Sequence, residues 1–368
     1  MREKNPLAIT VLATVSLCPL SYTQSPDSAD AAERDQFSIE ATFQQAYVIV
    51  HSEDVRAVED SYPRQFELNG LWRLNGQDTW EACRCYPIVG VWTIFTDFDN
   101  PVLGYGATGG VFVEPVFGVE EENASLRFGV GASYLSAPFD SVENPENQSY
   151  SIPFSFFLQM QIAYRFRLAE RWTAKLSVNY NHMSNGGVKD PNKGINYPAA
   201  SVGVQYTPEP SIFLRREAPD NSERDFAKRW DVEIFGAAAT LDKYPEEQYY
   251  IFGAGATHSR QVGLLSALTF GAEFIEDGMR EAKIRKEHDG DYDHRQAGVL
   301  FGHEFLMGAF LFGQQLGLYV YRPFVDHDFL YQRYYLYFRF ADRWKAGVNL
   351  KTHRHQADYL ELRLGRAF

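Results

Sequence analysis

A serine hydroxyl is a poor nucleophile until a neighbouring base takes its proton, and that base must itself be held in orientation. The run from Trp172 supplies two of these groups. It alternates Ala174, Leu176, Val178, Tyr180, His182 and Ser184 with Lys175, Ser177, Asn179 and Asn181. Side chains alternate between the faces of a strand, so residues two apart share a face, with Cα atoms about 6.6 Å from one another. His182 and Ser184 therefore project together. Read backwards from Tyr206 through Val204, Val202, Ala200 and Pro198, the following run brings Asn196 to the same face and the same end. The connecting turn holds Asn185, Gly186, Gly187, Asn192 and Gly194, whose backbone amides and amide side chains suit an oxyanion. The chemistry available to this set is ester cleavage, with Ser184 as nucleophile, His182 as base and Asn196 as the orienting group. Polar residues on a strand rim beside a Gly/Asn turn are the alternative reading of the same pattern.

The elements that would position these residues are membrane strands. From Phe37 onward, runs of about ten residues alternate apolar with polar or small side chains, the length and period of a tilted strand crossing a bilayer. They are readable at residues 66–74, 89–98, 124–135, 172–184, 232–241, 264–274, 310–321, 334–340 and 344–353. At the end of the chain, Leu360, Leu362, Leu364 and Phe368 share one face, with Glu361, Arg363 and Gly365 on the other. Counting weaker runs gives an all-β, antiparallel transmembrane β-barrel of the outer-membrane type, about 14 to 16 strands, over residues 36–368. The apolar face of such a strand meets lipid, which sets His182, Ser184 and Asn196 on the lipid-facing outer end. Residues 168–170, 307–308 and 341–343 read as short inner turns, and residues 52–64, 137–149 and 276–293 as long outer loops. Residues 75–85 and 207–229 are too long for inner turns, and a missed hairpin would hide there.

Composition agrees. Aromatic residues make up 15% of the 368, with 28 Phe and 22 Tyr, as the aromatic girdles of a barrel require. With 35 Lys and Arg against 48 Asp and Glu, the net charge of −13 carries no nucleic-acid footprint. Arg2 and Lys4 precede an apolar stretch, Pro6 to Leu20, with the layout of a signal peptide over residues 1–23; Cys18 would leave with it. Residues 24–35 then read as a short periplasmic segment.

Other candidates compete with plainer readings. Cys83 and Cys85 have the spacing of half a metal site, with no second pair to complete it, and otherwise read as cysteines on a turn. Asp289, Asp291 and Asp293 alternate in an outer loop, without the Gly and terminal Glu of an EF-hand. His353 with His355, and His51 with Glu53, sit at strand ends. The chain gives no indication that a metal or a cofactor is needed.

The stretch His182, Met183, Ser184, Asn185, Gly186, Gly187, followed by Pro191, Asn192, Gly194, Ile195 and Asn196, resembles the active-site segment of the outer-membrane lipid A 3-O-deacylases, the PagL or acyloxyacyl hydrolase family. The final strand ending in Phe368 resembles the assembly signal of bacterial outer-membrane barrels. The first resemblance implies His182 as base and Ser184 as nucleophile, Gly187 and Asn192 as oxyanion donors, and Asn185 as a supporting group. It also implies lipid A, or lipopolysaccharide, of the outer leaflet as substrate; the second implies the barrel assembly machinery as partner. The small family members carry Glu where this chain has Asn196, and the chain is much longer than those eight-stranded members. A non-enzymatic barrel, either channel or structural, and a phospholipase-type hydrolase are the rival functions; a filled interior would favour an enzyme scaffold over a channel.

Overall fold

The computed structural model describes residues 34–117, 123–213, 227–241, 247–287, 292–325, 328–341, 343–353 and 356–368. The expected signal peptide, Cys18, Asp289, Asp291, His355 and nearly all of the expected N-terminal segment lie outside the described residues. Seventeen strands follow in order: β1 (Gln36–Ala46), β2 (Arg64–Arg73), β3 (Ile88–Asp97), β4 (Tyr105–Glu114), β5 (Val116–Phe117), β6 (Asn123–Leu135), β7 (Phe154–Ala169), β8 (Trp172–Ser184) and β9 (Ile195–Tyr206), then β10 (Lys228–Thr240), β11 (Gln248–Gly263), β12 (Ser266–Asp277), β13 (Gln296–Met307), β14 (Phe310–Tyr321), β15 (Leu330–Phe340), β16 (Trp344–His353) and β17 (Gln356–Ala367). Two α-helices, α1 (Gln77–Cys83) and α2 (Gly278–Glu287), and a short 3-10 helix (Glu53–Val58) lie in connections.

The strands close as two antiparallel barrels of eight. In the first, β1 pairs with β9 from Ile39↔Tyr206 to Ala46↔Ala199, and β4 pairs with β6 to complete the circuit. The short β5 follows Pro115 and continues the line of β4 along β6. In the second, β10 pairs with β17 from Asp231↔Ala367 to Gly236↔Leu362. The sixteen long strands lie within the expected number, but they form two narrow circuits where the sequence reads as one wide one over residues 36–368. The long connection at residues 207–229 is the link between the barrels, and residues 75–85 hold α1; neither hides a hairpin within its described residues. Arg84, left-handed with φ 57°, ends α1, and Cys83 and Cys85 form a disulfide across it, so the pair is not half a metal site.

Strands such as β1 are inside-out relative to a soluble sheet. On β1, Phe37, Ile39 and Phe43 face outward, while Ser38, Glu40, Thr42 and Gln44 are buried in the interior. An eight-stranded barrel is just wide enough for side chains to fill it. The first interior is filled by a charge network. Arg127 reaches Glu114 at 2.7 Å and Glu67 at 2.9 Å, Arg165 pairs with Glu114 and Glu40, and Lys175 pairs with Glu40. In the second, Arg333 bridges Glu273 and Glu361 at 2.8 and 2.6 Å, Arg363 joins Glu233 and Glu273 at 3.3 and 2.9 Å, and Lys345 pairs with Asp231 at 2.9 Å. Burying charge is tolerable only when it is paired in this way.

The link after β9 covers one mouth of the first barrel. The Ser211 amide donates to Gln36 Oε1 at 3.0 Å, Asn75 Nδ2 to the Ile212 carbonyl at 3.1 Å, and the Arg73 guanidinium lies 3.9 Å from the Phe213 ring centre. At the other mouth, Phe98, Leu103, Tyr150, Phe157, Met183, Ile195 and Tyr197 form an apolar plug. The candidate site is built over that plug.

Candidate functional site

β8 and β9 pair in register with His182 opposite Asn196. Met183, Ile195 and Tyr197 turn inward and are almost wholly buried, which anchors both strands. His182, Ser184 and Asn196 turn outward, on the row that carries the exposed Leu176, Val178 and Tyr180. The row expected from the alternation is the row observed.

His182 Nδ1 lies 2.7 Å from Asn196 Oδ1, and His182 Nε2 lies 3.1 Å from Ser184 Oγ. A carbonyl oxygen can only accept, so the ring carries its proton on Nδ1 and donates it to Asn196. Nε2 then has a free lone pair and accepts from the Ser184 hydroxyl. The Tyr180 hydroxyl donates to the same Asn196 oxygen at 3.2 Å, which fixes which way the amide faces. Sequence reading placed Tyr180 on this face without giving it a part, although its position two residues before His182 is the signal.

The turn between the strands is tied internally. Asn192 Oδ1 accepts from the Asn185 amide at 2.8 Å, and Asn185 Oδ1 from the Gly187 amide at 3.0 Å. Asn185 Nδ2 donates to the Lys189 carbonyl at 2.6 Å and to Ser151 Oγ at 3.2 Å. The buried Asn185 is therefore the hub of the turn. Asn192 is brought against the backbone of Asn185, the residue after Ser184, but the Gly187 N–H is engaged by Asn185 and must leave that partner to serve an oxyanion. Gly194, with φ +73°, admits the ring: a methyl group there would lie 3.1 Å from His182 Cε1 and 3.0 Å from the Met183 carbonyl.

Loops of the first barrel brace the turn. The Lys193 and Gly194 amides donate to the Gln148 and Ser149 carbonyls at 3.0 and 2.9 Å, and His51 Nε2 meets the Lys193 carbonyl at 3.0 Å. His51 thus borders the site. Tyr150 beneath is held protonated, its phenol pushed well above the usual value by burial, and donates to the Leu103 carbonyl at 2.7 Å.

The remaining candidates are not drawn in. His353 makes hydrogen bonds at 2.7 Å to Asp358 Oδ2 and 3.2 Å to the Tyr319 hydroxyl, within the second barrel. Asp293 accepts from the Arg295 amide at 2.9 Å and the Tyr321 hydroxyl at 2.7 Å. Among the described residues there is no cluster of three or more His, Cys, Asp or Glu arranged for a metal. The arrangement around Ser184 suits proton transfer from a hydroxyl to an imidazole held by an amide, at an apolar surface.

Two family models match the chain. One, described as lipid A 3-O-deacylase (PagL), covers residues 64–205, and the other, acyloxyacyl hydrolase, C-terminal domain, covers residues 228–368. The first therefore falls within one barrel and the second on the other. No curated protein matches. Among solved structures, the Neisserial surface protein A is 12% identical, with 46% of this chain and 96% of that chain covered and a TM-score of 0.33. A Rhodopseudomonas blastica porin triple mutant is 9% identical, with 91% and 100% covered and a TM-score of 0.19.

Proposed function

Since the chain belongs to the family of lipid A 3-O-deacylases and acyloxyacyl hydrolases of the outer membrane, we propose that Ser184, His182 and Asn196 are its catalytic groups, cutting an ester-linked acyl chain from lipid A in the outer leaflet. The observation that carries this reading is the hydrogen-bonded series from Asn196 Oδ1 through the His182 ring to Ser184 Oγ, at 2.7 and 3.1 Å, on a lipid-facing row.

In this mechanism Ser184 Oγ attacks the ester carbonyl while His182 Nε2 takes the hydroxyl proton. The imidazolium returns that proton to the departing sugar alkoxide, leaving an acyl-serine. A water, deprotonated by the same nitrogen, then releases the fatty acid. Asn196 keeps the proton on Nδ1 throughout, and the amide dipole stands in for the charge a carboxylate would supply. Amides of the turn around Gly187, together with Asn192, serve the oxyanion once the Gly187 N–H exchanges Asn185 for substrate. A site on the lipid-facing row receives an acyl chain without drawing it into water, and the barrel assembly machinery would deliver such a chain to the membrane.

The filled interiors of both barrels favour a scaffold over a channel. Phospholipase-type cleavage uses the same atoms on a different ester. The deciding experiment is mass spectrometry of lipid A from cells making the parent chain or Ser184→Ala. Loss of one acyl chain with the parent alone supports the proposal; unchanged lipid A with altered phospholipids would move the assignment to phospholipid esters.

A further inference from the structure

The second barrel touches the turn that carries the candidate oxyanion donors, and it does so through a gap in its own seam. β10 and β17 pair from Asp231↔Ala367 only as far as Gly236↔Leu362. Beyond that point β10 runs on to Thr240 and β17 extends back past Leu360, without further pairing between them. A strand edge left this way presents backbone donors that need partners. The Gly186 carbonyl takes one, accepting from the Leu360 amide at 3.1 Å. Thr240 Oγ1, on the other lip of the gap, accepts from the Asp190 amide at 3.3 Å.

The fit is close. A methyl group on Gly186 would lie 3.0 Å from Leu360 Cβ, and one on Gly187 would lie 3.1 Å from the Asp358 carbonyl oxygen. Asp358 is itself held by His353 Nδ1 at 2.7 Å. Phe156, opposite Ser184 in the β7–β8 register, closes the other side of Gly186, 3.4 Å from the same added methyl.

We propose that this open seam of the second barrel is a positioning element of the active site, with the Leu360 amide and the Thr240 hydroxyl fixing the turn from Gly186 to Asp190 beside Ser184. The inference rests on the reading of Ser184 as nucleophile. It assigns the second barrel a part in turnover, acting through the turn and touching no reacting atom.

The test uses the full chain in detergent with a soluble short-chain ester, and compares kcat and KM for the parent, Thr240→Val, Thr240→Ser and Leu360→Pro. Proline is tolerable at Leu360 because its N–H faces the turn and not β16. Misplacing a catalytic group lowers the chemical step more than ground-state binding, so kcat is expected to fall about tenfold in Thr240→Val and Leu360→Pro with KM within about twofold. Thr240→Ser restores the hydroxyl and should restore kcat. Folding is checked by the heat-dependent shift in gel mobility, and if Leu360→Pro fails to fold the Thr240 pair decides alone. Parent kcat in folded Thr240→Val, or no recovery in Thr240→Ser, overturns the proposal. Full activity in Ser184→Ala would instead remove the site on which it rests.

Discussion

Asn196 separates two tasks that a carboxylate performs at once, namely holding the imidazole and stabilising its positive charge. Asn196→Ala removes the 2.7 Å partner of Nδ1 and should lower the deacylation rate sharply without changing which acyl chain is cut. Asn196→Asp should preserve or raise it, because the anion adds charge stabilisation in a position near the rim, where burial costs least. Initial rates on lipid A in mixed micelles check both, and parent-like turnover in Asn196→Ala would remove it from the site. Ser184→Ala should lose several orders of magnitude while the barrel stays folded. Tyr180→Phe deletes one hydrogen bond to Asn196 Oδ1, worth about 0.5–1.5 kcal/mol, so turnover should fall by about twofold to tenfold. That His182, Ser184 and Asn196 come together on one face was legible, because strand alternation converts spacing into a shared face. The Asn185 hub and the engaged Gly187 amide were not, since a turn's internal hydrogen bonds depend on backbone angles that residue types alone leave open.

The strand and turn at the site have a narrow tolerance. Gly194 adopts φ +73° and lies against the His182 ring, so Gly194→Ala combines left-handed strain of about 1–2 kcal/mol with a push on the proposed base. Turnover should drop, and the temperature of the heat-dependent mobility shift should fall with it. An unchanged rate would mean that the ring has room to move aside. At this scale the sequence was informative about where strands run, because a lipid-facing row of Leu, Phe and Tyr over an inward row of Ser, Glu and Gln has one physical solution. It was silent on which strands meet. Alternation reports the face of each residue and not the identity of its neighbour, so sixteen long strands read as one wide circuit. The unusual length of the link at residues 207–229 was the visible trace of the division. The disulfide was likewise obscured, because Cys-Arg-Cys becomes a bridge only once Arg84 takes the left-handed conformation that brings the two Cα atoms to 5.1 Å.

As a whole, the molecule is two solid cylinders whose interiors are held by paired charge. Arg127 contacts Glu114 and Glu67 with no solvent exposure. Arg127→Met leaves the buried Glu67 without its 2.9 Å ion pair, while Glu114 keeps Arg165, and should cost about 3–5 kcal/mol, measured as a lower urea midpoint for unfolding in detergent. If the midpoint stayed with the parent, the network would be tolerated and not required. Filled interiors of this width also predict no porin-like conductance steps when the purified protein is added to a planar bilayer. Closure has a consequence in time as well as in space. Each seam joins the first and last strands of its own circuit, Ile39 with Tyr206 and Asp231 with Ala367, so neither cylinder shuts until ends far apart in the chain have found each other, a slow kind of event. The two closures share no strand, and the first circuit can therefore be complete while the second is still an open sheet. The Gly186 turn meets its partners at Leu360 and Thr240 only when the second circuit has formed, so the candidate site is complete only once both cylinders have shut.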